Sequence, residues 1–442
     1  MRHYPFADFF SSSSQVGQFE ALDITGRELD ELIDPLQQTE FVSSYFMKKS
    51  VFIPAGQREK VTFVTLERFR ALLNMAKQMR TPGFCIDAHF RNSPRDELFE
   101  IEPRQVGHLL DAGATICATN LHLIDPDLYR LTRALKVQLA FTGKVGVNCY
   151  ISTDGGGFRS HFDTKTAMVV QLSGRKVWRY AKTASLPYPR RTARERDGMI
   201  HLGRAPELPV EDWERVGPSQ SDAFDETVMK AGDVLCVPPG TWHEACADGF
   251  SLALNIFFQP TDFSALLWPI IAAGLRTRDA WRGGPPPLSG GPPEEPPDTV
   301  RAYFRARLSD LRATINAVDE NDPRLWSAWY ASSTEATQPS SAHTSHRPEG
   351  GAYLCVNRTV PFCHYISKSK DGEDCVVLQY GPKRMVFTIG AYPLIRAFVD
   401  GKVFPYGGIN EDLAGCCSTA EAKQIWDALL AAGIARCVGD PT

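Results

Sequence analysis

Residues 148–180 read NCYISTDGGGFRSHFDTKTAMVVQLSGRKVWRY, and the fold turns on how this stretch is read. The flexible triplet Gly155-Gly156-Gly157 is followed by His161-Phe162-Asp163, then by the apolar run Ala167-Met-Val-Val-Gln-Leu172, then by Gly174-Arg-Lys176-Val-Trp178. Apolar, β-branched runs bounded by glycine are strand signals. On a strand, residues i and i+2 point the same way. His161 and Asp163 therefore present an imidazole and a carboxylate side by side. A third donor must come from a remote strand folded back beside the first. The stretch Val237-Pro-Pro-Gly-Thr-Trp-His243-Glu supplies the candidate, His243.

Two imidazoles and one carboxylate on one face of an ion suit a non-haem Fe(II) centre, with three positions left open for a co-substrate and O2. A His-x-Asp triplet alone is a common accident of surface polarity. The glycine-rich entry, the apolar run and the cation that follows favour the metal reading. The spacing predicts strands Val145–Ser152 and Thr166–Leu172. A hairpin near Ser173-Gly174 would return Lys176–Tyr180 towards the metal end. An ammonium there can bind the distal carboxylate of a metal-chelating keto-diacid; a solvated turn lysine is the competing reading. Alternation in Ser251–Phe258 puts Leu252, Leu254 and Ile256 between layers and Ser251, Ala253 and Asn255 inside the roll. A buried Asn255 amide needs a partner. A bound keto-acid or a neighbouring core group would serve.

Asn148-x-Tyr150, His161-x-Asp163, Gln171-Leu-x-Gly174-x-Lys176-x-Trp178, Pro238-Pro-Gly-x-x-His243 and Asn255 occur in that order. Together they resemble the JmjC-type, cupin-fold 2-oxoglutarate oxygenases, nearest to the ribosomal-oxygenase subgroup of JmjC hydroxylases. The resemblance spans residues 36–262, with a weaker echo to the C-terminus. It implies an α+β fold with a double-stranded β-helix (cupin or jelly-roll) core and flanking helices. It also implies His161, Asp163 and His243 as Fe(II) ligands, with Lys176, Asn148 and Asn255 around 2-oxoglutarate. The implied reaction is hydroxylation of an amino-acid side chain in a protein or peptide. Two rivals stand beside it: an N-methyl-lysine demethylase of the same superfamily, and a non-catalytic metal-binding cupin regulatory protein. A keto-acid anchor has no use in the latter.

With 442 residues, the chain is long enough for two or three domains. A net charge of −4 argues against nucleic acid as a partner, and no run approaches a membrane span. Eleven scattered cysteines without a C-x-x-C pair read as reduced thiols in a cytoplasmic protein. We read an N-terminal lead-in over 1–35, loosely ordered apart from a short acidic helix over Thr25–Ile33. The catalytic domain covers 36–282, with a short strand at Phe63–Val64. A Pro/Gly-rich linker covers 283–298, and 299–335 is a helical region suited to a homodimer. A second linker at 336–351 leads to a winged-helix-like domain over 352–442. Residues 181–225 form a long polar insert expected at the rim of the barrel mouth. His343, His346 and His364 lack a carboxylate at ligand spacing and read as solvent-exposed.

Overall fold

The computed structural model describes residues 6–11, 25–56, 63–76, 81–93, 98–196, 199–203, 224–289, 295–334, 352–357, 360, 362–369, 371–380, 383–406, 408–409, 413 and 415–438. The chain divides into two compact units: Met1–Pro260 with Arg358–Val360, and Thr261–Asn357 with Pro361–Thr442.

The first unit is built on a 12-stranded sheet. Its main path runs Val51–Ile53, Val234–Val237, Thr166–Tyr180, His243–Gln259, Lys144–Ser152, Thr115–Thr119, Cys85–His89, Phe99–Glu100. Two long strands close it into a roll. Thr166–Tyr180 pairs along its first part with Val234–Val237 and along its last part with Asp225–Lys230. His243–Gln259 likewise pairs with Gly157–Phe162 near its start and with Lys144–Ser152 further on. All these pairings are antiparallel, as a cupin-type roll requires.

The hairpin expected at Ser173-Gly174 is not there. Thr166–Tyr180 is one strand of 15 residues. Gly174 has φ +69, and a Cβ on it would lie 1.7 Å from the Phe250 carbonyl oxygen. The opposing strand shifts register between Ala247 and Ser251. A glycine at a close backbone approach thus bends the sheet round a corner without reversing it. Lys176 reaches the interior by continuing past that corner.

Helix Pro126–Gln138 follows its sequence signals. Asp125 caps it, accepting from the N–H groups of Asp127 and Leu128, with Pro126 in the first turn. Leu128, Leu131 and Leu135 are fully buried in the core, where burial stabilises by about 2 kcal/mol per side chain. Two expectations fail at the N-terminal end. Phe6–Ser11 is a helix docked on the core, with Phe10 edge-on to Phe69 and the Phe6 and Ala7 N–H groups donating to Asp111. Phe63 and Val64 are buried but make no strand, because apolar side chains can fill a core gap without a ladder partner. The acidic helix is Glu28–Ile33.

The second unit holds helices Phe263–Arg276, Asp298–Asn316 and Pro323–Thr334. It also holds a sheet of Cys363–Lys368, Asp374–Tyr380 and Lys383–Thr388. A second sheet joins Phe404–Pro405, Tyr353–Val356 and Ala435–Val438, near helices Tyr392–Val399 and Thr419–Ala431. Ser418 and Glu421 form the expected capping box, and Trp426 is packed against Phe398 and Phe404. The 336–351 linker, 290–294, 204–223, His343 and His346 lie outside the described residues. His364 is half-buried rather than exposed, and burial pushes its imidazole pKa down. None of the eleven cysteines is paired. Among the described residues no helix is long and apolar enough to cross a membrane.

Candidate active site

His161 lies on Gly157–Phe162 and His243 opens His243–Gln259; the two are directly opposed in register. Their ring centroids are 4.3 Å apart. Asp163 follows the end of the His161 strand. One ligand atom from each of the three lies within 4.8 Å of the others.

Local packing explains why three remote residues meet. Phe162, between two of the donors, turns to the opposite face and is fully buried. Trp242, next to the third, is also fully buried and packs edge-on to Phe162 at 5.0 Å. The two ligand segments are therefore clamped from behind. The Pro238-Pro239-Gly240 turn adds a tie: the Gly240 N–H donates to the Asp163 carbonyl at 2.8 Å. Gly240 has φ +73, and a Cβ there would lie 1.8 Å from the Leu186 carbonyl oxygen, so only glycine fits.

Each imidazole is oriented by its own chain segment. His161 Nδ1 lies 2.8 Å from the Arg159 carbonyl, and His243 Nδ1 lies 2.8 Å from the Thr241 carbonyl. A carbonyl only accepts, so each Nδ1 holds the proton and each Nε2 offers its lone pair. Burial pushes His243 down to about 4, helped by the charge of His161. For Asp163, burial opposes ionisation; His161, His243, Lys165 and Arg194 outweigh it and hold the carboxyl below its ordinary value. At neutral pH the set offers a carboxylate and a neutral His243 imidazole, which is what a divalent metal needs.

Lys176 lines the same cavity. It is 3% exposed, and Nζ donates to Ser152 Oγ at 3.3 Å with no ion pair among the described residues. Burial pushes it down to about 8. A buried ammonium with one neutral partner is incompletely compensated and suits an incoming anion. Asn255 also lines the cavity, and its buried Oδ1 has no hydrogen-bond partner. Asn148 stands directly opposite Asn255 in register. It is not part of the cavity wall; its Oδ1 accepts the Asn120 N–H at 3.0 Å.

Sequence reasoning quoted Tyr150 and Trp178 in its motifs without giving them a role and passed over Phe158; the three complete the wall with Ala167, Val169, Ala245 and Ala253. The period of two held a usable signal: Tyr150 is two from Asn148, and Trp178 two from Lys176. The enclosed space, counted out to its open mouth, is ≈ 470 Å³. The polar insert also contributes structure. Ala193–Arg196 and Met199–Leu202 form a hairpin, and Arg194 pairs in register with His161.

Residues 123–266 match the family model described as a JmjC domain. That stretch, about a third of the chain, is similar to a JmjC domain. The uncharacterized protein YxbC of Bacillus subtilis is 27% identical over 256 residues, covering 55% of this chain and 74% of that protein. Ribosomal oxygenase 1 of Danio rerio is 27% identical over 263 residues, 57% of this chain and 44% of that protein. The chain thus spans less than half of the zebrafish relative. The structure of YcfD, a ribosomal oxygenase from Escherichia coli in complex with cobalt and 2-oxoglutarate, matches with a TM-score of 0.54. That match covers 92% of this chain and 99% of YcfD at 13% identity, a likeness of fold.

Proposed function

We propose that the protein is an Fe(II)- and 2-oxoglutarate-dependent oxygenase that hydroxylates an amino-acid side chain of a protein or peptide. The observation that carries this reading is one cavity holding the His161–Asp163–His243 cluster and the buried Lys176 ammonium. The residues present fit both groups. The three donors match a facial metal set with an open side. The under-compensated Lys176 ammonium matches a carboxylate of a bound keto-acid.

Such a centre, when loaded, couples oxidative decarboxylation of 2-oxoglutarate by O2 to insertion of one oxygen atom into a C–H bond. The chain's own part is placement. His161, Asp163 and His243 hold the metal, with both imidazoles fixed by backbone carbonyls. Lys176 binds the distal carboxylate, and Asn255 borders the co-substrate. Asn148 acts at one remove, by holding the Asn120 turn. Phe158, Tyr150 and Trp178 wall the pocket and exclude water. The similarity to a ribosomal oxygenase supports a protein or peptide as substrate. The insert hairpin, paired to the His161 strand, is read as the rim that meets it.

Anaerobic titration with Fe(II) and 2-oxoglutarate tests this reading. A visible charge-transfer band that requires both is expected. Its absence favours a metal-binding regulatory role. Intact-mass analysis of candidate peptides for one added oxygen, against loss of a methyl group, separates hydroxylation from demethylation. We also read the chain as a homodimer, because Asp298–Asn316 leaves Phe304, Leu308 and Ile315 exposed. The 352–442 region, which holds the capped helix Thr419–Ala431, is read as a winged-helix-like docking module. Light scattering of the purified protein decides the first; a monomer mass refutes it.

A further inference from the structure

The insert hairpin has two unlike faces, and the one on the metal side holds neither the ion nor the co-substrate. Arg194 on Ala193–Arg196 stands directly opposite His161, and His201 on Met199–Leu202 stands directly opposite Arg194. Opposed residues of antiparallel strands share a face. A row therefore runs outward from the metal ligand to Arg194 and on to His201, in steps of about 4.8 Å. The other face is the anchor. Ala193 is buried with Phe162 and Trp242, and Ile200 and Leu202 pack against them. On the metal side, by the same alternation, Met199 is 65% exposed and His201 is exposed beside it.

The charge beside the metal on this side is positive. Lys165 lies just ahead of Thr166–Tyr180, with Nζ 4.2 Å from the centre of the Phe257 ring. Its charge and that of Arg194 both act on Asp163. Neither side chain lines the cavity that holds Lys176. The neighbouring carboxylates face away or are engaged. Glu195, one residue on from Arg194, alternates to the anchored face. Glu244 lies between Arg91 and Arg179, at 3.4 and 3.0 Å. Asp87 accepts from Thr119 and Cys85. The whole chain carries −4, yet physiological salt screens charges beyond about 8 Å. A peptide at the metal thus meets the local cations rather than the net charge. We propose that this face is the substrate platform and that its partner is an acidic stretch of peptide, with an Asp or Glu within about three residues of the oxidised one. The reach follows from the row. An extended peptide advances about 3.3 Å per residue, so two or three residues span the roughly 5–10 Å from the metal ligand to Arg194 and His201. Met199, flexible and apolar, accommodates a neighbouring side chain. This rests on the reading of a protein or peptide as substrate.

The test immobilises the full-length protein, loaded with Zn(II) and 2-oxoglutarate so that no turnover occurs, and selects from a random library of displayed dodecapeptides. Sequencing of the bound peptides is expected to show Asp and Glu enriched roughly three- to fivefold over the starting library. Arg194→Gln removes the charge and keeps the length. It is expected to bring that enrichment back to the level of the starting library. Bound Zn(II) is measured in each variant, because a merely structural arginine would leave the peptide preference of metal-loaded protein unmoved. Should Arg194→Gln lose Zn(II), His201→Glu on the edge strand decides by the same measure, with a reduced enrichment expected. Selected peptides without an acidic excess overturn the inference, as does an excess that persists in the deciding variant. Selection of no peptide above the protein-free matrix overturns the protein-or-peptide reading itself.

Discussion

Replacing Lys176 by methionine should move stability and co-substrate affinity in opposite directions. The side chain is 3% exposed, and burial holds its pKa at about 8 against an ordinary 10.5. That gap corresponds to about 3 kcal/mol of disfavoured charge in the fold. The sign follows from proton counting. Between pH 8 and 10.5 the unfolded chain binds the proton more than the folded one does, so stability rises with pH across that window. Below about 8 the full penalty applies. Methionine keeps the volume and removes the charge. After allowance for the lost hydrogen bond to Ser152, the metal-free variant should be more stable by about 1–3 kcal/mol at pH 7. The dicarboxylate, however, loses its buried counter-charge. Truncating one partner of such a pair costs about 2–5 kcal/mol, so 2-oxoglutarate should bind roughly 30- to 4000-fold more weakly. Urea denaturation of metal-free protein and calorimetry with Zn(II) and 2-oxoglutarate measure the two effects. A variant that is destabilised yet binds normally would refute the anchor role and return Lys176 to a structural one.

The same proton makes affinity depend on pH. Binding of 2-oxoglutarate should be flat below pH 8 and weaken about tenfold per pH unit above it, because the free lysine must then take up a proton; a flat profile to pH 10 counts against it. Asp163→Asn should weaken metal binding by more than the roughly 10- to 100-fold typical of residues outside the ligand set, read as metal retained after desalting. Gly240→Ala forces a Cβ against the Leu186 carbonyl at positive φ. It should cost about 2 kcal/mol and lower the unfolding midpoint by roughly 4–8 °C; an unchanged midpoint in scanning calorimetry would show that the turn yields freely.

The metal cluster was legible because strand periodicity is rigid. Once His161 and Asp163 were two apart, only the partner strand was missing, and the Pro-Pro-Gly turn pointed to His243. Leu252, Leu254 and Ile256 fell in the core by the same rule, and Asn255 fell inside. Other features were hidden for physical reasons. A glycine at positive φ reads alike in a hairpin and at a corner where two backbones touch, so Gly174 was misjudged. The Ala193–Arg196 strand is nearly all charge, and its pairing beside His161 depends on tertiary context rather than pattern. Phe6–Ser11 is too short to be a helix alone and becomes one by docking. Asn148 shows the limit of spacing: the face was evident, but the choice of the Asn120 N–H as its donor was not.

The atoms that aim both imidazoles are the main-chain oxygens of Arg159 and Thr241. No codon change deletes a main-chain oxygen. Arg159 and Thr241 can therefore drift in side-chain identity while the aim of the two rings persists. Selection on the surrounding wall is then free to reshape what the pocket admits, with the grip on the ion left unaltered.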